Sequence, residues 1–382
     1  MPYNLKPADA YDVDVETTEY LKDHVDTGDR WTLNFGPQHP ATHTTLRLVL
    51  ELDGERVARC TPHIGYLHSG FEKLGEHLDY NQYVTIVSRM NYLSPISNDI
   101  CWHHAVEKLF QIDITPRCKV VRTIMAEVGR IQDHLLNVGA AALDLGAFTG
   151  FLYAFNVREK IYDIYDYISG QRYHPDWSRV GGAMKPIPDD DTFRRMIRNL
   201  IDKEVPRAIK DLEDLVLRNK IFIDRTVGIG AMTKEEAIGW SLTGPVARAS
   251  GVERDVRKDD PSLCYEYNWD GEGAEAVKFS VPVHSDGDVY ARFQVRLEEM
   301  KQACKIIDQL RLEEMKQACK IIDQLMGDRL WGRLKDIPMD TYADGKYVKP
   351  KKEEVYGSIE GLIQHFEIIM SIRWCDAPFA EV

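Results

Sequence analysis

The 382-residue chain contains no CxxC pair. That absence removes the commonest zinc, iron–sulfur and dithiol spacings. Its seven cysteines (Cys60, Cys101, Cys118, Cys264, Cys304, Cys319, Cys375) are scattered and odd in number, which reads as reduced thiols in a reducing compartment. No stretch approaches the ~20 consecutive apolar residues that span a bilayer. There is no basic excess either. Sixty-one acidic against 48 basic residues give a net charge of −13, a field that repels phosphate backbones and excludes nucleic acid as a general partner. The first twenty residues are acidic, with no apolar segment and no arginine-rich character, so neither a secretory signal nor a transit peptide is expected.

What remains is enough for a real core. Hydrophobic residues make up 44% and charged residues 29%, and the length suits two or three packed regions. Residues 1–30 are polar and read as an arm that orders against a partner. In 31–95 a hairpin is expected: 45–52 alternates, Asp53-Gly54 supplies the turn, and 55–60 returns. From 96 to 370 the helical period dominates. Val121, Ile124, Val128, Ile131, Leu135 and Val138 predict one long buried helix over 118–145. Further helices are expected over 151–168 and 191–217, the second behind a Pro-Asp-Asp-Asp cap, and residues 240–290 read as loops with short strands. The expected class is mainly α with a β-rich N-terminal portion.

One feature is abnormal. The segment RLEEMKQACKIIDQL at 296–310 recurs without a change at 311–325. True repeat proteins carry drifted copies and usually three or more. Fifteen residues advance a helix by four turns plus about 60°, so the two apolar faces do not align. A bent or looped-out helix pair is the expectation.

Taken singly, the motifs have bland readings. His39 and His43 are four apart, but Pro40 between them argues for a loop rather than a metal-binding helix. Gly228-Ile229-Gly230 opens like a dinucleotide fingerprint, yet Thr233 stands where the third glycine belongs, so no nucleotide site is expected. His103 and His104 are adjacent on a helix and point to different faces, which favours packing.

In order, the pieces say more. GPQHPATH, the Asp-Gly hairpin, PHIGYLHSGFEK, SRMNYLSP, a long helix ending ALDLGAFTGFLYAF, GQRYHPDWSRVGG, LTGPVARASGVERDVRK and SIEGLIQHFE follow one another over roughly residues 30–370. This series resembles the 49 kDa-type D subunit of NADH:quinone oxidoreductase, respiratory complex I. The resemblance implies a helical core like that of the nickel–iron hydrogenase large subunit, and a place beside the partner subunit that carries the terminal iron–sulfur cluster. Hydrogenases hold nickel through an RxCxxC element. The matching stretch here, Arg89 to Ser94, has Asn91 and Ser94 where thiolates are required, so no metal is expected on this chain.

By the same resemblance, His43 and Tyr92 hydrogen-bond the quinone headgroup, Asp144 partners His43, and Arg89 sits near the partner's cluster. The chemistry suits reduction of a quinone to a quinol, which consumes two electrons and two protons. A hydroxyl and an imidazole can both donate to the carbonyl oxygens. The resemblance further implies that NAD binds the complex but not this chain. The implied partners are the iron–sulfur B-type subunit, the C-type subunit and the membrane-arm subunits. The implied location is peripheral, on the cytoplasmic side of a bacterial inner membrane or the matrix side of an organelle. The family continues past SIEGLIQHFE into a C-terminal segment, so the end at 371–382 reads as a truncation. Two other readings stay open: the same role in a complex fed by ferredoxin or another donor, and an inactive scaffold subunit. The signature of the scaffold would be loss of His43, Tyr92 or Asp144, and all three are present.

Overall fold

A computed structural model of the chain describes residues 30–42, 44–271 and 273–324, the part beyond residue 310 by backbone alone. The expected arm, except Arg30, and the chain end at 371–382 lie outside the described residues. The chain divides into two compact units between Leu74 and Gly75.

The first unit is a three-stranded antiparallel meander of β1 (Arg30–Phe35), β2 (Arg47–Asp53) and β3 (Arg56–His63). The hairpin expected from the Asp53-Gly54 pair is present as β2–β3, with Leu50 opposite Cys60 and a bulge between Glu51 and Leu52. Gly54 adopts φ +63, the left-handed conformation that a tight turn needs. Strand β1 was not anticipated. Its signal is visible in retrospect, because Trp31, Leu33 and Phe35 alternate with polar residues. Between β1 and β2, a bridge from Gln38 to Thr45 closes the GPQHPATH loop. Gly36 is required at its start: it has φ +88, and a Cβ there would lie 2.0 Å from the Leu46 carbonyl oxygen.

The boundary falls at the last residue of α1 (Phe71–Gly75), and the second unit continues with α2 (Tyr80–Met90) and α3 (Pro95–Phe110). The long helix α4 (Pro116–Asp144) is the axis of the core. Thr115 caps it by accepting from the Cys118 amide at 3.3 Å, and Pro116 occupies the first turn, where its missing N–H costs nothing. All six periodic positions, from Val121 to Val138, are buried. Glycines let its neighbours come close. A Cβ on Gly129 would lie 2.4 Å from Ser97 Oγ on α3, and one on Gly139 would lie 3.1 Å from Ala154 Cβ on α5 (Phe148–Ser169).

The helix expected over 191–217 is broken into turns of different pitch. It runs as α6 (Asp190–Asn199), a π-turn (Leu200–Glu204), α7 (Val205–Leu212) and a second π-turn (Glu213–Leu217). Asp189 caps α6 through the Thr192 amide at 2.9 Å, as the Pro-Asp-Asp-Asp stretch suggested. Before α6, the short strands β4 (Ser178–Arg179) and β5 (Gly182–Ala183) form a tight hairpin. After it come α8 (Lys220–Thr226) and α9 (Lys234–Gly239).

Residues 240–290 are largely irregular chain, as expected, but the short strands are not there among the described residues. The described residues hold only α10 (Gly244–Ala249), α11 (Val256–Asp259), a 3₁₀ turn at Leu263–Tyr265, irregular chain and the first two residues of the last helix. Two arginines of this stretch turn inward, Arg248 to Glu299 on that last helix and Arg257 to Glu127 on α4, and tie the irregular chain to the core. The loop-out expected as one form of the duplicated segment is not seen. Helix α12 (Val289–Gln324) runs through both copies as one element. The duplicated sequence contains no glycine or proline and is rich in strong helix formers, so nothing local stops it.

Candidate functional site

The end of α2 gathers the site residues of the second unit. Asp79 and Gln82 form a capping box at the start of the helix, and the Asp79 amide donates to Gln82 Oε1 at 3.1 Å. Arg89 sits on the last turn of the helix, and the chain then leaves it in a turn that carries Asn91, Tyr92 and Ser94. Asn91 Nδ2 donates to Ser94 Oγ at 3.0 Å, and the Leu93 amide donates to Asn91 Oδ1 at 3.3 Å. The two side chains set against a thiolate pair in sequence therefore satisfy one another and pin the turn. Tyr92 is held half-buried on it, and burial raises its hydroxyl pKa above 10.0. The proton stays on the phenol at neutral pH, available to an acceptor.

Arg89 is exposed, and its guanidinium donates to the Thr85 carbonyl and to Ser88 Oγ. Facing it is the segment before the β4–β5 hairpin. Burial raises the pKa of Asp176, while the Ser88 hydroxyl and then Arg89, His174 and Arg179 pull the other way. His174 is held below 6.5 by burial and then by Arg89, with Asp176 opposing. Asp176 adopts φ +41, a conformation that a non-glycine residue rarely takes and that costs about 1–3 kcal/mol. Tyr173 stacks edge-on against His174 at 4.6 Å, and its electrostatic neighbours include Tyr92. His174 and Asp176 were not singled out in sequence. Their motif was visible, but the neighbour that gives them meaning lies 85 residues earlier for His174 (174 − 89).

A buried clamp fixes this segment. Arg122 on α4 and Glu107 on α3 pair at 2.7 and 2.8 Å, both out of solvent. The same guanidinium donates to the carbonyls of Arg179 (2.8 Å) and Gly182 (2.7 Å), and Glu107 accepts from the Gly181 amide at 2.8 Å. Asn81 on α2 accepts from the Val180 amide at 3.0 Å, so α2 and the hairpin share a direct tie. His103 is fully buried against Ser178 Oγ at 2.6 Å, and burial, Arg122 and Arg179 keep it neutral. It is a packing residue, as its sequence context indicated.

The other predicted residues stand elsewhere. Asp144 is the last residue of α4 and is exposed, before a turn in which the Leu145 carbonyl accepts from Arg225 at 2.8 Å. His43 lies outside the described residues, and with it any pairing to Asp144. The rest of its loop is ordered by Thr42, whose hydroxyl lies 2.8 Å from the carbonyls of both His39 and Thr44. His39 stacks on Phe35 at 4.0 Å.

A second polar centre lies deeper, around a cavity of about 180 Å³ lined by His104, Glu127, Arg130, Arg257 and Tyr265 among others. Glu127 accepts from Arg257 at 3.1 Å, from Arg130 at 3.3 Å and from the Tyr265 hydroxyl. Burial alone would raise its carboxyl, but Arg130 and Arg257 hold it below 4.5. Among the described residues, no cluster of His, Cys, Asp and Glu has metal-site geometry, and no helix is long and apolar enough to cross a membrane.

The chain that builds this helical core, with its half-buried tyrosine beside an arginine–histidine–aspartate group, has clear relatives among known proteins. Residues 144–311 and 309–380 match the family described as respiratory-chain NADH dehydrogenase, 49 Kd subunit. The NADH-quinone oxidoreductase D subunit of Geotalea uraniireducens is 43% identical over 337 residues, 88% of this chain and 78% of that protein. The D subunits of the same enzyme from Methylacidiphilum infernorum (39%; 93% and 77% covered) and Salinibacter ruber (41%; 87% and 67% covered) are similar too. The chain is thus a subunit of an oxidoreductase complex. It belongs to the 49 kDa, D-type subunit family of respiratory-chain NADH dehydrogenase, and its partners are other subunits of that complex. The two matched stretches meet at 309–311, the seam between the duplicated copies.

Proposed function

We propose that this chain supplies the quinone-headgroup contacts of a proton-translocating NADH:quinone oxidoreductase, with Tyr92 and His43 as hydrogen-bond donors to the two carbonyl oxygens. Asp144 orients His43 and favours its charged form. The observation that carries the reading is Tyr92 itself: a half-buried phenol, held protonated, on a turn pinned by Asn91 and Ser94. A donor of this kind binds a carbonyl first and can release its proton once the oxygen has gained charge. Arg89, by resemblance, faces the terminal iron–sulfur cluster of the B-type subunit. A permanent positive charge there favours the reduced state.

The relation to the nickel–iron hydrogenase large subunit accounts for the turn after α2, where an amide and a hydroxyl have replaced soft ligands. NAD, in this reading, binds the complex and not this chain. The B-type and C-type subunits and the membrane arm are its neighbours, on the cytoplasmic side of a bacterial membrane. A complex fed by ferredoxin or another donor would need the same contacts, so the donor is decided by the subunits that co-purify.

The test is purification of the native complex through this chain, followed by quinone-dependent NADH oxidation. Co-purification of an NADH-binding subunit with quinone-dependent turnover is the expected result. An assembled complex that oxidises only another donor would replace the NADH reading. An assembled complex without quinone reduction would leave the scaffold reading standing. Elemental analysis of the isolated chain should find no stoichiometric nickel or iron, and one transition metal per chain would contradict the loss of the hydrogenase site.

A further inference from the structure

The duplicated sequence fills a seat built for one copy. In that seat Leu297, Met300, Ala303, Ile306, Ile307 and Leu310 are buried in the main core. The polar side is equally specific. Glu299 accepts from Arg248 Nε at 2.7 Å and lies 2.7 Å from His134 Nε2. Gln309 accepts from the Lys278 amide at 2.8 Å and donates to its carbonyl at 2.6 Å, and Lys301 meets Glu213 at 2.9 Å. Every one of these side chains recurs fifteen residues later, Met300 as Met315 and Cys304 as Cys319. By side-chain chemistry the seat cannot tell the copies apart.

The flanks differ. Upstream, Ala291, Phe293 and Val295 are buried in register with the first copy. The second matched stretch of the family begins at 309 and continues downstream through the second copy. Each flank is therefore in family register with its own copy. One helix can honour only one of them, because fifteen extra residues add about 22 Å and a turn of about 60°.

We propose that the two copies compete for this single core seat, so that the chain folds in two exchanging registers. In one, 296–310 is seated and α12 continues into the second copy. In the other, 311–325 is seated and 296–310 loops out between Val295 and Arg311. The seat contacts are the same in both registers. The balance is set by closing a fifteen-residue loop against displacing the downstream chain, and loop closure depends only weakly on length.

The experiment uses the full chain with Met300→Asp, Met315→Asp and both together. An aspartate cannot occupy the fully buried Met300 position without an uncompensated charge. Each single variant is expected to unfold cooperatively like wild type, and the double variant to lose that transition. Register is read by thiol alkylation in a Lys305→Arg background, which marks the first copy by mass at an exposed position. The seated Cys304 thiol is pushed up to about 12 by burial, so a seated cysteine reacts slowly. In Met300→Asp the protection should move from Cys304 to Cys319, each rate changing at least about tenfold. The proposal is overturned if either single variant unfolds like the double, if Met300→Asp folds with Cys304 still protected, or if the double variant stays folded. A Met300→Asp dimer that forms only at high concentration also overturns it, since the copy would then come from a second chain.

Discussion

At the scale of single residues, the chain separates groups that a reaction can use from groups that only hold the fold. Tyr92 is half-buried on the turn after α2 and Arg89 is exposed at the end of that helix, whereas Glu127 is sealed among Arg130, Arg257 and Tyr265. Since those cations hold the Glu127 carboxyl below 4.5, its contribution is complete above the ordinary carboxylate range and is lost as pH falls through the depressed value. Glu127→Gln should destabilise the chain by about 1–3 kcal/mol at pH 7, because Arg257 keeps Asp255 but loses Glu127, and the partly buried Arg130 loses the same carboxylate. Urea unfolding between about pH 3.5 and 7 checks the sign: the gap between wild type and variant should narrow toward acid. A gap that widens toward acid would contradict the assignment. Glycine at 129 is equally constrained. Gly129→Ala should cost about 1–3 kcal/mol as α3 is pushed from α4, measurable as a lower urea midpoint at unchanged slope.

Among elements, the β4–β5 hairpin shows how far the sequence could be read. Helix α4 was legible because its apolar positions repeat over about five turns, from Val121 to Val138, and its caps are local. The hairpin was not, because two-residue strands leave no period to detect. Its position comes from Glu107 and Arg122, which sit on two different helices and meet only after folding. Residues 240–290 were legible as loops but not in what organises them: glycine, proline and asparagine signal a break in regular structure, but not the buried ion pairs of Arg248 and Arg257 that take the place of the expected short strands. Glu107→Gln should release the hairpin from α3 and strand Arg122, at about 3–5 kcal/mol. Hydrogen exchange at the Val180 and Gly181 amides should accelerate before exchange in α4 does. Equal acceleration in both would mean that the clamp belongs to the core as a whole rather than to the hairpin.

For the whole molecule, two features set behaviour beyond any one element. One is the duplication, which gives the core fifteen residues more than its seat can take. Deleting 311–325 should leave thermal stability unchanged or raised, because the retained copy already makes the seat contacts and both flanks recover a single register. Loss of the folded state on deletion would show that the second copy has a structural task of its own. The other is membership in a complex, which makes activity a property of the assembly. The identity of the family was legible in the ordered motifs alone, and the proposed roles of Arg89 and Tyr92 come from their place in SRMNYLSP. The neighbours His174 and Asp176 needed the fold.

The central claim, that Tyr92 donates to the quinone, is tested most directly by Tyr92→Phe in the assembled complex. The ring and its packing remain while one hydroxyl is lost, and a hydrogen bond to a group that gains charge contributes about 1.5–3 kcal/mol. Quinone reduction should fall by about ten- to a hundredfold, with electron transfer from NADH to artificial acceptors and assembly both unchanged. Wild-type quinone reduction in a fully assembled Tyr92→Phe complex would contradict the account.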